Sequence, residues 1–146
     1  MILSGEIKVN APREAVFEKL NDVPFFASCI DGVGDLEKVN ATCYKATLTT
    51  KVAYIQFKFQ VVVEITENVF PEIITAKTEG NPIGIVGRLQ AISSAKLIPE
   101  NNLTSIQYTI DLKLTGKLGS IGQPVLRSKT KELEQQFAKN LQAAFV

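Results

Sequence analysis

The 146-residue chain has no histidine and no tryptophan, only two cysteines and a single methionine. Without histidine it lacks the commonest general base at neutral pH and the usual imidazole ligand of zinc, copper and haem iron. Ser-His-Asp and Cys-His nucleophile systems are excluded on the same ground. Cys29 and Cys43 fall in different predicted elements, without the spacing of a zinc or iron–sulfur site. They read as reduced, small apolar side chains. Asp22, Asp31, Asp35 and Glu37 do not have EF-hand spacing and read as caps and turns, so neither a metal nor a cofactor is expected. The 16 basic and 15 acidic residues are scattered, leaving a net charge of +1 and no basic cluster, which argues against nucleic acid as a partner. No apolar run approaches the ~20 residues of a membrane span. Met1–Gly5 has no charged leader before an apolar core, so a soluble, cytoplasmic protein is expected.

What is present is hydrophobic patterning. Apolar residues make up 45% of the chain and charged residues 21%, enough for one packed core, so residues 1–146 are read as a single domain. Ile2 to Asn10 alternates with period two, as a half-buried strand does. Asn10, Pro12 and Glu14 signal a helix start, and Val16, Phe17 and Leu20 form its apolar face. Phe25 to Ile30 reads as a second short helix, ended by Asp31-Gly32. Strands are then expected at Leu36–Asn40, Cys43–Lys51, Tyr54–Glu67, Glu72–Glu79, Ile85–Ile98 and Leu103–Leu114, separated by turn residues. Apolar residues from Leu118 to Phe145 recur at helical spacing, and Pro124 makes this helix either begin near Gln123 or kink there.

One strand, two short helices, six strands and one long helix make an α+β chain. Consecutive antiparallel strands twist into a bent sheet whose apolar face needs a cover. Only the C-terminal helix is long enough to supply it. The expected architecture is a helix-grip fold, a curved seven-stranded antiparallel sheet around a long C-terminal helix, with two short helices after the first strand.

Four stretches carry a family resemblance. Ala11-Pro12-Arg13-Glu14-Ala15-Val16-Phe17-Glu18-Lys19-Leu20-Asn21-Asp22 resembles the opening helix of the carbon monoxide dehydrogenase G-subunit family. That family belongs to the START-like, or birch-pollen-allergen-like, helix-grip superfamily. Ala27-Ser28-Cys29-Ile30-Asp31-Gly32 is similar to its Cys-Ile-Pro-Gly segment, with Asp31 in place of the usual proline. Gly116-Lys117-Leu118-Gly119-Ser120-Ile121-Gly122-Gln123 resembles the approach to its last helix, and Gln136-Phe137 with Leu141 its close. The resemblance implies a non-catalytic accessory protein associated with a molybdenum hydroxylase, with peripheral membrane contact as a further partner. Some relatives continue into a linker and an apolar anchor; this chain stops at Val146.

Gly80-Asn81-Pro82-Ile83-Gly84-Ile85-Val86-Gly87 is followed by a strand rather than a helix N-terminus, so it reads as a tight hairpin with a bulge at Gly87, not a nucleotide loop. Glu64, Glu79 and Asp111 sit in the polar register of their strands and read as surface groups, and Arg88 is expected to point outward. The candidate site is the concave apolar face. Phe57, Phe59, Val61, Leu89, Ala91, Tyr108 and Ile110 from the sheet, with Ile121, Val125 and Leu126 from the helix, are the candidate ligand-binding residues. Phe25 and Phe26 are the candidate gate, facing the helix lead-in Gly116–Pro124, which is expected to bend away from the sheet. Gly87, Ala91, Ser93 and Ala95 put small side chains where a filled core needs volume, which favours a cavity. Its expected occupant is a quinone, an isoprenoid or another lipid-like chain. Two other readings stand beside this one: an assembly or interaction protein with a vestigial cavity, and a START-like cyclase or hydrolase.

Overall fold

The computed structural model describes residues 1–146. Strand β1 (Ile2–Val9) is followed by α1 (Arg13–Asn21) and α2 (Val23–Ser28). Strands β2 (Val33–Lys38), β3 (Cys43–Val52), β4 (Ile55–Val69), β5 (Ile73–Pro82), β6 (Gly87–Glu100) and β7 (Leu103–Gly116) come next. A short 3-10 turn (Lys117–Ser120) leads into α3 (Gln123–Ala143). All seven strands form one antiparallel sheet in the order β1-β7-β6-β5-β4-β3-β2, the curved sheet of a helix grip.

In β1 the alternation puts Leu3, Ile7 and Val9 in the core and leaves Ser4, Glu6 and Lys8 exposed. The register continues across the sheet: Ile7 opposes Ile106, Ile106 opposes Leu97, and Tyr108 opposes Ala95. Ladder shifts between Gly34 and Glu37 and between Ile65 and Glu67 interrupt the pairing. Such bulges increase local twist and help bend a sheet around a helix. The bulge expected at Gly87 is absent. Gly87 pairs in register with Gly116, and its missing side chain instead makes room for Leu118, whose Cγ would lie 3.1 Å from an added Cβ.

Several boundaries differ from the sequence reading for local reasons. Asn10 does not cap α1; the extended Pro12 occupies the cap position without a side-chain hydrogen bond. Helix α2 begins earlier, at Val23, because the Asp22 carboxylate accepts from the Phe25 amide at 3.2 Å and Pro24 fits the first turn. Ala53 and Tyr54 both have positive φ, 49° and 70°, and make the β3–β4 turn, so Tyr54 is not in the strand. Pro124 sits in the first turn of α3, where its missing donor costs nothing, and the helix starts at Gln123.

The core is concentrated where α1 and the end of α3 meet the sheet. Val9, Val16, Phe17, Leu97, Ile106 and Leu141 belong to one buried cluster. Phe59, Ala91 and Leu118 are also buried, toward the lead-in to α3. Along its 21 residues, α3 has a single fully buried side chain, Leu141. Side-chain hydrogen bonds fasten its C-terminal half. Gln136 accepts from the Asp31 amide at 3.0 Å, Asn140 donates to the Cys29 carbonyl at 2.9 Å, and Gln142 donates to the Lys8 carbonyl at 2.8 Å. The accessible surface is 8569 Å². A compact monomer of 16.0 kDa would expose about 7400 Å². The excess fits a sheet and helix that do not meet along their whole length. No helix is long and apolar enough to cross a membrane.

Candidate functional site

Between sheet and α3 lies a partly open cavity of about 350 Å³, with 12 hydrophobic residues among the 16 that line it. Its floor is made by two cross-strand rows. Tyr108, Ala95 and Ile74 form one, on β7, β6 and β5, and Ile110, Ser93 and Ala76 form the next. Three of those six side chains are small and sit side by side on the two central strands. They leave the space unfilled. Thr130, Leu133, Glu134 and Phe137 of α3 roof it, and Leu20, Phe26 and Ile30 close the end nearest the short helices. The Phe26 and Phe137 rings touch at 4.9 Å between centroids, and Phe26 is 40% exposed, so this pair stands at the rim.

Of the expected ligand-binding residues, Phe26, Tyr108 and Ile110 line the cavity. Phe25 packs against the buried cluster, under Lys19 at 4.7 Å, and not on the cavity wall. Phe57, Phe59, Val61, Leu89, Ala91, Ile121, Val125 and Leu126 do not line it either. Phe57 and Phe59 stack on each other at 6.0 Å between centroids. Leu118 explains the shift. The glycines around it let it turn down onto Gly87, where it is 1% exposed and fills the end of the grip below the helix lead-in. The 3-10 turn of the lead-in is thereby packed onto β6 and β7. The opening lies farther along, where Phe26 meets the second half of α3.

The polar feature that the sequence reading missed is Glu134. Its side chain is 9% exposed; Oε1 accepts the Tyr108 hydroxyl proton at 2.8 Å, and Oε2 pairs with the exposed Lys131 Nζ at 3.0 Å. The pair spans from α3 to β7 over Gly5 of β1. A Cβ at Gly5 would fall 2.5 Å from the Tyr108 hydroxyl and 2.7 Å from its Cζ, and closer still to Glu134. Burial, followed by the Glu134 acceptor and its charge, pushes the Tyr108 phenol well above the ordinary tyrosine value. The available signal was a lone acidic residue one turn before Phe137 on the apolar stripe of α3, together with a glycine in the inward register of β1.

Elsewhere, Arg88 points outward and pairs with Glu79 at 3.0 Å. Both cysteines are free. Burial raises the Cys29 thiol, and desolvation with the neighbouring Glu64 raises that of Cys43, which lowers the thiolate fraction of both.

A sheet in this order, two short helices bridging its edges and a long helix over an apolar cavity define a helix-grip protein. The chain is 28% identical to a conserved protein from Geobacillus kaustophilus, over 99% of this chain and 94% of that one, with a TM-score of 0.89. A START superfamily protein from Mycobacterium smegmatis shares the fold at 14% identity and a TM-score of 0.68, over 98% and 95% of the two chains. So does Ara h 8.0201, at 14% identity and 0.66, over 99% and 96%. No curated protein matches the chain. The model of the CoxG family, the G-subunit of carbon monoxide dehydrogenase, matches residues 5–146, and the chain belongs to that family.

Proposed function

We propose that residues 1–146 act as one non-catalytic binding domain that takes an apolar small molecule between sheet and α3 in the service of a molybdenum hydroxylase system. The observation that carries this reading is the unfilled space itself, about 350 Å³ with mostly apolar walls beneath a helix that buries one side chain completely. That volume lies within the range of small-molecule sites. A quinone ring, an isoprenoid or an acyl chain that buries roughly 200 Å² there gains about 5 kcal/mol before the costs of association. Family membership supports the hydroxylase partner. Peripheral membrane contact belongs to the same reading. Tyr54, Ile83 and Val86 on the β3–β4 and β5–β6 turns, with Ile55 at the start of β4, are exposed at one end of the sheet. Ile83 is tied to Lys58 and Val86 to Lys117 by backbone hydrogen bonds.

The test is a titration of delipidated protein with a short-tailed isoprenoid quinone and with a linear alkane, read by thermal melting. Ligand at 100 times its dissociation constant stabilises by about 2.7 kcal/mol. At about 2–4 °C per kcal/mol, this raises the melting temperature by about 5–11 °C. Ala95→Phe, on the cavity floor, should fold and lose this response. A flat response in the unmodified protein would overturn the reading. Recovery of hydroxylase subunits from native extract by Ala95→Phe as efficiently as by the parent would favour assembly over carriage.

A further inference from the structure

The chemistry of the cavity wall bears on the polar end of the ligand. Among the lining residues Glu134 is the only charged one, and no lysine or arginine shares the wall. Lys131 pairs with it from outside, so a cationic guest would find that oxygen already taken, while the exposed, water-screened ammonium does not reach into the cavity to receive an anion. What remains inside is mainly acceptor capacity. A carboxylate has about four lone-pair sites. Tyr108 and Lys131 occupy one on each oxygen. The Tyr108 oxygen can accept as well, because its single proton is given to Glu134. Thr130 gives its proton to the Leu126 carbonyl at 2.9 Å, which leaves that hydroxyl, too, as an acceptor. On the sheet side Ser93 and Ser94 add hydroxyls to that of Tyr108, and the Ser93 hydroxyl, without a protein partner, can donate as well as accept. Ser94 lies in the alternate register, where it accepts from Thr75 at 3.2 Å.

We infer that the cavity selects a neutral amphiphile whose polar end donates a hydrogen bond, an alcohol or a phenol, and rejects carboxylates. The inference rests on the cavity being a ligand site and narrows its occupants: a hydroxyl-bearing, reduced quinone ring fits it better than the quinone, and an acyl chain fits it as an alcohol better than as an acid. A hydroxyl entering past Phe26 meets the free acceptor sites of Glu134 and Tyr108 in a water-poor setting, where hydrogen bonds to charged groups are strong. A fatty acid entering the same way brings a second negative charge to Glu134 with no cation to receive it. It is disfavoured by repulsion and by its own desolvation.

The experiment compares dodecanol, dodecane and dodecanoate at neutral pH, by displacement of an environment-sensitive apolar dye, on the parent and on Glu134→Gln. The parent should bind the alcohol about tenfold more tightly than the alkane and the carboxylate at least tenfold more weakly than the alcohol. Glu134→Gln keeps the size and an acceptor but removes the charge; it should recover most of the carboxylate's lost affinity while leaving the alkane unchanged. Tyr108→Phe provides a second variant, in which the alcohol's advantage shrinks and the alkane's affinity holds. Carboxylate binding as tight as alcohol binding in the parent would overturn the inference while leaving the cavity site standing. Failure of all three probes, the alkane included, would overturn both.

Discussion

Replacing Gly5 by alanine tests the Tyr108–Glu134 bridge from the opposite side. In most strands this change is mildly favourable, by about 0.4–1 kcal/mol, because it narrows the unfolded ensemble. Here the new methyl enters the space occupied by the Tyr108 hydroxyl and the Glu134 carboxylate. Glu134 ends a flexible side chain and can swing away, but the Tyr108 ring, 2.5 Å from the new carbon at its hydroxyl and 2.7 Å at Cζ, must shift as well. What is lost is a hydrogen bond to a charged group, about 1.5–3 kcal/mol. The net expectation is destabilisation by about 1–2 kcal/mol, or about 2–8 °C in melting temperature. Urea unfolding of Gly5→Ala, Tyr108→Phe and the double variant measures it. With the hydroxyl already gone, the alanine should cost less, giving a coupling of at least about 0.5 kcal/mol. A neutral or stabilising Gly5→Ala, or strict additivity with Tyr108→Phe, would refute the reasoning.

The same bridge predicts an alkaline dependence. The folded state holds the Tyr108 phenol above its unfolded value of about 10, so its contribution is complete below pH 10. Above that the unfolded chain has shed the proton and the folded one has not, and stability falls as pH rises. Unfolding free energies between pH 9 and about 11 should drop more steeply for the parent than for Tyr108→Phe. Equal slopes would remove Tyr108 from the account. Two leucines on α3 should differ in importance. Leu141, fully buried in the cluster, should cost about 3–4 kcal/mol as alanine. Leu133, with one side on the cavity, should cost less than about 1.5 kcal/mol by the same denaturant assay. Equal costs would mean that the middle of the helix is as closely supported as its end.

The sheet and the long helix were legible because their signals are periodic. Alternation in Leu103–Leu114 and helical spacing beyond Leu118 survive almost any choice of turn, and the order of elements then leaves few topologies. The cavity was legible in kind, through Ser93 and Ala95, whose small size is visible in the chain. Its position was not. Which end of a concave face is filled depends on Leu118, one leucine in a glycine-rich stretch, and its inward turn is a tertiary event that periodicity does not carry. The expected wall at Phe57, Phe59 and Val61 fell on the strands beyond that plug. Glu134 was missed for a related reason. An acidic residue on a helix reads as surface until the opposite strand is known to place a tyrosine against it and a glycine beneath it.

The floor of small side chains has a consequence for how such a protein can change. Ala76, Ser93 and Ala95 border empty space, whereas the cluster around Phe17 and Leu141 holds the domain together. A lineage can therefore enlarge, shrink or reshape the chamber by substitutions at three positions that lie outside the buried cluster, Ala95 alone of them packing against it. Changes in the guest need not threaten the host, and one scaffold can diverge toward many ligands while its outline stays the same.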